Sequence, residues 1–89
     1  MRVLYLPAFV RDLKRLQGAR EYARIRRLAF DAAPASVSLE ELAQVKKLYG
    51  QEGAYRIRLG AYRLGFFWDG KTLTFARVLH RKEIYRFFP

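Results

Sequence analysis

Two clusters of basic residues invite a chemical reading. The run Tyr55–Phe67 (YRIRLGAYRLGFF) sets Arg56, Arg58 and Arg63 among aliphatic and aromatic residues on either side of Gly60-Ala61. Further on, His80–Arg86 (HRKEIYR) adds Arg81, Lys82, Tyr85 and Arg86 beside the chain's one histidine. A guanidinium is planar, permanently charged and forked, which suits bidentate contact with phosphate. Several held on a rigid sheet would stabilise developing negative charge without a metal ion. Tyr85 either packs its ring on the core or hangs over the cationic face. His80 is placed by alternation on that same face, where it could donate a proton or bind phosphate, although a lone histidine at a strand end is more often structural.

Other chemistries lack the residues they need. There is no cysteine and only one histidine, and the few carboxylates fall mostly in helical segments, so neither a metal site nor a carboxylate acid/base pair is expected. The two serines, Ser36 and Ser38, lie together in a helix-start signal and do not support a catalytic triad. The GQEG stretch at 50–53 has no lysine and no strand-to-helix context, so it is not a phosphate loop.

The elements that must position the arginines follow from periodicity. RVLYL at 2–6 is a short strand, and Pro7 suits the first turn of a helix that ends near Gly18. A second helix runs from residue 19 to a break at Pro34, with Tyr22, Ile25, Ala29 and Ala32 on its apolar side. Ser38 and Glu41 have capping-box spacing, so one or two helical turns should begin near Leu39. Beyond the YGQEG loop the pattern alternates. AYRIRL and YRLGFFW flank the two-residue Gly60-Ala61 turn, and Asp69-Gly70 leads into KTLTFARVLH, giving a three-stranded meander.

The turns imply a register. Leu59 faces Tyr62, Ile57 faces Leu64 and Tyr55 faces Phe66, while a two-residue Asp69-Gly70 turn would set Phe66 against Leu73 and Leu64 against Phe75. All of these belong to the face the helices cover. The other face then collects Arg58 opposite Arg63, Arg56 opposite Gly65, and Thr74, Ala76, Val78 and His80. Like charges directly opposite destabilise a sheet, and a mid-strand glycine leaves room where a side chain would stand. The expected fold is α+β: an N-terminal strand and a helical hairpin packed on one face of a mostly antiparallel sheet. A chain of 89 residues allows one domain, 1–89.

Composition narrows the partners. Eighteen Lys+Arg, most of them arginine, against eight Asp+Glu give a net charge of +10. That balance favours an anionic partner, most often nucleic acid, over a merely solubilising surface. No apolar run is long enough for a membrane span and no secretory leader is visible, so the expected location is the cytoplasm.

The segment LYGQEGAYRIRLGAYRLGFFWDGKTLTFARVLHRKEIYR resembles the C-terminal half of RelE/ParE superfamily toxins, and the order of strand, helical hairpin and meander extends the likeness over the chain. The resemblance implies the toxin of a type II toxin–antitoxin pair, with a cognate antitoxin as partner and no cofactor. In the RelE branch, such toxins cleave mRNA in the ribosomal A site without metal, the ribose 2′-OH attacking its own 3′ phosphate. In the ParE branch, they inhibit DNA gyrase and lack the catalytic set. The family's basic positions fall on Arg56, Arg58, Arg63 and Arg81, and its C-terminal tyrosine on Tyr85, which favours the RelE branch. Arg81 and Tyr85 are closer in sequence than in some relatives.

Transesterification of RNA suits these residues. Arg56, Arg58 and Arg63 would stabilise the phosphorane. Tyr85 would take the 2′-OH proton, its phenolate favoured by nearby cations, or stack a splayed base. Arg81 is a poor proton donor and is assigned to charge stabilisation, leaving His80 or a ribosomal group as the acid for the 5′ oxygen. Lys82 and Arg86 extend the phosphate-binding surface. An extended acidic antitoxin would complement so cationic a protein. The alternatives are a gyrase inhibitor without nuclease activity and a basic nucleic-acid-binding domain without toxicity.

Overall fold

A computed structural model describes all of residues 1–89. Its centre is a five-stranded sheet built from β1 (Arg2–Tyr5), β2 (Val45–Lys47), β3 (Ala54–Leu59), β4 (Tyr62–Trp68) and β5 (Thr72–His80). The spatial order is β1-β5-β4-β3-β2, with only the β1–β5 pair parallel. Helix α1 (Pro7–Arg15) connects β1 to α2 (Tyr22–Arg27), which continues through a π-helical turn (Leu28–Ala32) into α3 (Ala33–Ala35). The C-terminal α4 (Ile84–Phe87) follows β5. The fold is α+β, as the periodicity indicates.

Pro7 opens α1 at a position where its missing N–H costs nothing. Phe9 and Leu13 face the sheet and meet Ile25, Ala29 and Ala33 from the second helical segment. The break expected at Pro34 does not occur there; the helix runs through it to Ala35. A proline ring crowds the carbonyl four residues earlier, and the wider π turn accommodates it. The extra residue in that turn also rotates the helix, so Ala33 is buried and Ala32 is exposed, the reverse of a regular 3.6-residue repeat.

The capping box at Ser38 and Glu41 is present, but it starts a single 3-10 turn, Leu39–Glu41, and strand β2 follows at once. The added edge strand pairs Val45 with Ile57 and Lys46 with Arg56.

The β3–β4 register is the one the Gly60-Ala61 turn dictates: Leu59 pairs with Tyr62, Ile57 with Leu64, Tyr55 with Phe66. Gly60 has φ +59°, a left-handed conformation that glycine adopts freely. The next hairpin differs from expectation. Trp68 pairs with Leu73, so four residues and not two form the loop. The Asp69 carboxylate accepts the N–H groups of Thr72 (2.7 Å) and Lys71 (2.9 Å), which fixes that wider loop. Those bonds, led by Thr72, also hold the Asp69 carboxyl below its usual range.

A bulge then intervenes: Phe66 pairs with Phe75, but Gly65 pairs with Arg77. The inserted residue reverses the facing of everything after it. Val78 therefore joins the helix-side core opposite Leu64, and His80 stands on that side opposite Tyr62. Both were expected on the arginine face.

The sheet is covered on both faces. Helices α1 and α2 cover Ile57, Leu59, Leu64, Phe66, Leu73, Phe75 and Val78. On the opposite face a smaller apolar cluster joins Ala54 and Ala76 to Ile84 and Phe88. The space above Gly65 is filled by the Phe88 ring, so it is not an open gap. Where β1 ends, β5 is capped by Asp12 of α1, whose carboxylate accepts from Val78 N–H (3.1 Å) and grips Arg77 Nε at 2.7 Å and Nη2 at 3.0 Å.

Candidate active site

The short hairpin forces the first part of the site. Arg58 and Arg63 are direct cross-strand partners, and Arg56 lies between Gly65 on β4 and Lys46 on β2. These side chains share the face on which α4 packs. Arg63 Nη1 donates to the carbonyls of Gly60 and Tyr62, both at 3.0 Å, which folds its guanidinium back over the turn. Arg56 Nη1 donates to the Gln44 carbonyl at 2.9 Å, and Arg58 Nη2 to Gln44 Oε1 at 3.0 Å.

The second part arrives with the end of β5. The backbone N–H of Arg81 donates to the Ala61 carbonyl at 2.8 Å, tying Arg81 to the turn that carries Arg63. Ile84 and Phe88 anchor α4 to the sheet, while Tyr85 between them is 57% exposed. The electrostatics of Arg63 register the convergence. Partial burial, first, pushes its affinity for the proton below the usual arginine range. The cations of Arg56, Arg58 and Arg81 push in the same direction, and Tyr85 opposes them. Arg56, Arg58, Arg81 and Tyr85 thus all act on Arg63.

The remaining sequence-predicted residues stand apart from that group. His80 Nδ1 accepts the Lys82 N–H at 3.1 Å, and its ring meets Tyr62 edge-on with centroids 5.7 Å apart. It shapes the turn after β5 from the helix side of the sheet. Lys82 is exposed. Arg86 turns outward to Glu83 (3.3 Å) and over the Phe87 ring (5.8 Å).

Sequence reasoning missed Lys46 and Gln44, because LAQVKKL after a capping box reads as helix. The signal available was the pair Lys46-Lys47 with Val45 and Leu48, four residues that also fit an edge strand.

Chemically, the arrangement is a set of cations held by neutral acceptors and lacking counter-charges. The ion pairs of the protein join Arg77 to Asp12 and Arg86 to Glu83. Arg56, Arg58, Arg63 and Arg81 have no carboxylate partner, so they are open to an external anion. Their fixed geometry suits charge on phosphate oxygens better than a diffuse basic patch would.

Residues 3–85 match a family model described as the ParE toxin of the type II toxin–antitoxin system parDE. Over 91 aligned positions the chain is 44% identical to Toxin RelE3 of Methanocaldococcus jannaschii, covering 100% of both chains. The toxin–antitoxin complex RelB–RelE of Methanococcus jannaschii contains a chain 38% identical, with a TM-score of 0.75 and coverage of 97% and 99%. The complex RelBE2 of Mycobacterium tuberculosis gives 32% identity, a TM-score of 0.67 and coverage of 90% and 96%. A small α+β protein with a cationic sheet end is the general class. Within that class, the chain belongs to the RelE/ParE superfamily of toxins from type II toxin–antitoxin systems. It is RelE-like in fold and sequence.

Proposed function

We propose that this protein is a ribosome-dependent mRNA endoribonuclease that inhibits translation without a metal ion. The observation that carries the reading is the gathering of Arg56, Arg58 and Arg63 on one sheet face with Arg81 tied to the Gly60-Ala61 turn, all free of carboxylates, with Tyr85 within electrostatic reach of Arg63. A gyrase inhibitor acts by binding alone and has no need of a cationic site of this construction.

In this mechanism, mRNA presented in the ribosomal A site places a phosphate against the arginines. Tyr85 takes the proton of the ribose 2′-OH, whose oxygen forms a bond to phosphorus. The P–O5′ bond breaks, leaving a 2′,3′-cyclic phosphate, and the departing 5′ oxygen takes a proton. Arg63 and Arg58, paired across the hairpin, carry the extra charge of the pentacoordinate state, with Arg56 and Arg81 at its flanks. His80 lies on the other side of the sheet with Nδ1 engaged, so the acid is assigned to a ribosomal group. Positioned groups of this kind each contribute about 10²–10⁴-fold.

The partner is a cognate antitoxin, as the solved relatives in complex support. A cleft of about 310 Å³ between α2 and β3 is floored by aliphatic side chains and rimmed by Arg24, Arg27 and Arg58, with no acidic residue in its lining. That chemistry suits an acidic amphipathic segment.

The test is expression of the parent and of Arg63→Ala/Tyr85→Phe in growing cells, with translation rate and mRNA 5′ ends followed. Translation arrest with cleavage in A-site codons, abolished in the double variant, is expected. Equal arrest by the double variant would refute the site. The ParE description of the matching family gives a second reading its own outcome: gyrase–DNA cleavage complexes with intact mRNA.

A further inference from the structure

Gln44 stands at the entrance to β2 with φ +63°, the one non-glycine residue of the chain in the left-handed region. A glutamine is strained there in a way a glycine is not. Its neighbours give the conformation a purpose. The Gln44 carbonyl accepts from Arg56 Nη1 (2.9 Å) and from the Arg58 backbone N–H (3.2 Å), and its Oε1 accepts from Arg58 Nη2 (3.0 Å). Arginine only donates, so the amide atom facing it is the oxygen. Arg56 Nε is buried without any hydrogen-bond partner, which leaves the Gln44 carbonyl as the contact that orients this guanidinium.

We propose that Gln44 is a positioning residue for the phosphate-binding arginines: its left-handed backbone turns both of its oxygens toward β3, where they aim Arg56 and Arg58. The inference rests on the reading of the arginine face as a phosphate site. A neutral amide is the suitable acceptor for the task. It fixes a guanidinium without cancelling its charge, whereas a carboxylate would hold it equally well and compete with the incoming phosphate.

Two variants separate positioning from mere support. Gln44→Gly keeps the backbone carbonyl, relaxes the strained φ and removes only the side-chain acceptor. It should melt at the parent temperature or higher. The Nη resonances of Arg58, distinct while its guanidinium is held, should collapse toward the exchange-averaged signal of a free arginine. Ribosomal mRNA cleavage should fall about tenfold in kcat with little change in KM, because the loss is in aiming charge at the transition state. Gln44→Glu should keep Arg58 ordered and still lose cleavage, through neutralisation.

Unchanged Arg58 resonances in Gln44→Gly would overturn the inference, as would a freed Arg58 with parental kcat. A joint fall of melting temperature and activity in Gln44→Gly would overturn it too, since that is what a supporting role predicts. Should the parent cleave no mRNA at all, the proposed function fails. The inference is then decided by NMR of the protein with a 2′-deoxy-substituted, uncleavable RNA oligonucleotide. A response of the ordered Arg58 Nη resonances to the RNA in the parent that is lost in Gln44→Gly supports it, and the same response in both proteins, or none in the parent, overturns it.

Discussion

Replacing Gly65 by alanine tests how the C-terminal segment is held over the sheet. A Cβ at Gly65 would lie 2.5 Å from Phe88 Cδ2, 2.6 Å from Cγ and 2.8 Å from Cε2. Carbon atoms in contact sit about 3.5–4.0 Å apart, so the ring must retreat by about 1 Å or more. It has little room to do so. Phe88 is 2% exposed, its N–H donates to the Ile84 carbonyl at 2.8 Å, and its ring lies 5.1 Å from that of Phe67. Forcing the methyl into this packing costs about 1–3 kcal/mol, and expelling the ring forfeits about 1.5–3 kcal/mol of burial. Either route costs about 2 kcal/mol. Gly65 does not have a positive φ, so alanine regains about 0.5 kcal/mol of strand preference. The net loss is about 1.5 kcal/mol, or roughly 6–12 °C in melting temperature for a chain of this size.

Thermal unfolding followed by circular dichroism measures that loss, and a double-mutant cycle with Phe88→Ala assigns its cause. Phe88→Ala removes the obstacle, so adding Gly65→Ala to it should be neutral or slightly stabilising. If Gly65→Ala destabilises the Phe88→Ala protein as much as the parent, the clash is not the mechanism. Because Phe88 and Ile84 anchor α4 and α4 carries Tyr85, Gly65→Ala should also reduce mRNA cleavage.

Asp12→Ala should destabilise the protein by about 3 kcal/mol in urea unfolding, the lower end for a broken buried pair. Asp12 is 2% exposed and loses three bonds, while Arg77 at 24% keeps access to water. A loss under about 1 kcal/mol would mean the strand end is capped by something else. Burial, and then Asp31, raise the proton affinity of the Tyr5 phenol, whose OH donates to the Ala29 carbonyl at 2.6 Å. A raised folded value means stability is complete below the phenol's ordinary pKa of about 10 and drains away as pH climbs through the folded one. Tyr5→Phe should therefore cost about 1 kcal/mol at pH 7 and flatten the decline of melting temperature above about pH 10; an unaltered alkaline limb would contradict this. Binding of single-stranded RNA should weaken with salt, and Arg63→Ala should reduce the slope of log K against log salt by about 0.7. An unchanged slope would remove Arg63 from the phosphate contacts.

How far residue patterns carry depends on whether the deciding contact is local. The placement of Arg56, Arg58 and Arg63 on one face follows from a two-residue turn, since Gly60-Ala61 admits one register and alternation does the rest. The next strand escapes the same logic. Leu73 and Phe75 keep the period of two, and then Val78 comes three residues later, with the small Ala76 and the charged Arg77 between. That interval is the trace of the bulge. It is ambiguous in sequence because alanine is acceptable on either face, and what decides is distant: Phe88 needs a small residue beneath it, and Asp12 needs Arg77 at the strand edge. Gln44 is less legible still, since nothing in its type announces a left-handed backbone. The contacts it makes are with two arginines on another strand, which its own segment does not reveal. The bulge also bears on the proposed site. By adding one residue to β5 it places His80 on the helix side with Tyr62, and it brings the backbone of Arg81 to Ala61. A strictly alternating strand would have set an imidazole among the arginines; with the bulge, the proposed site is completed by the permanent cation of Arg81.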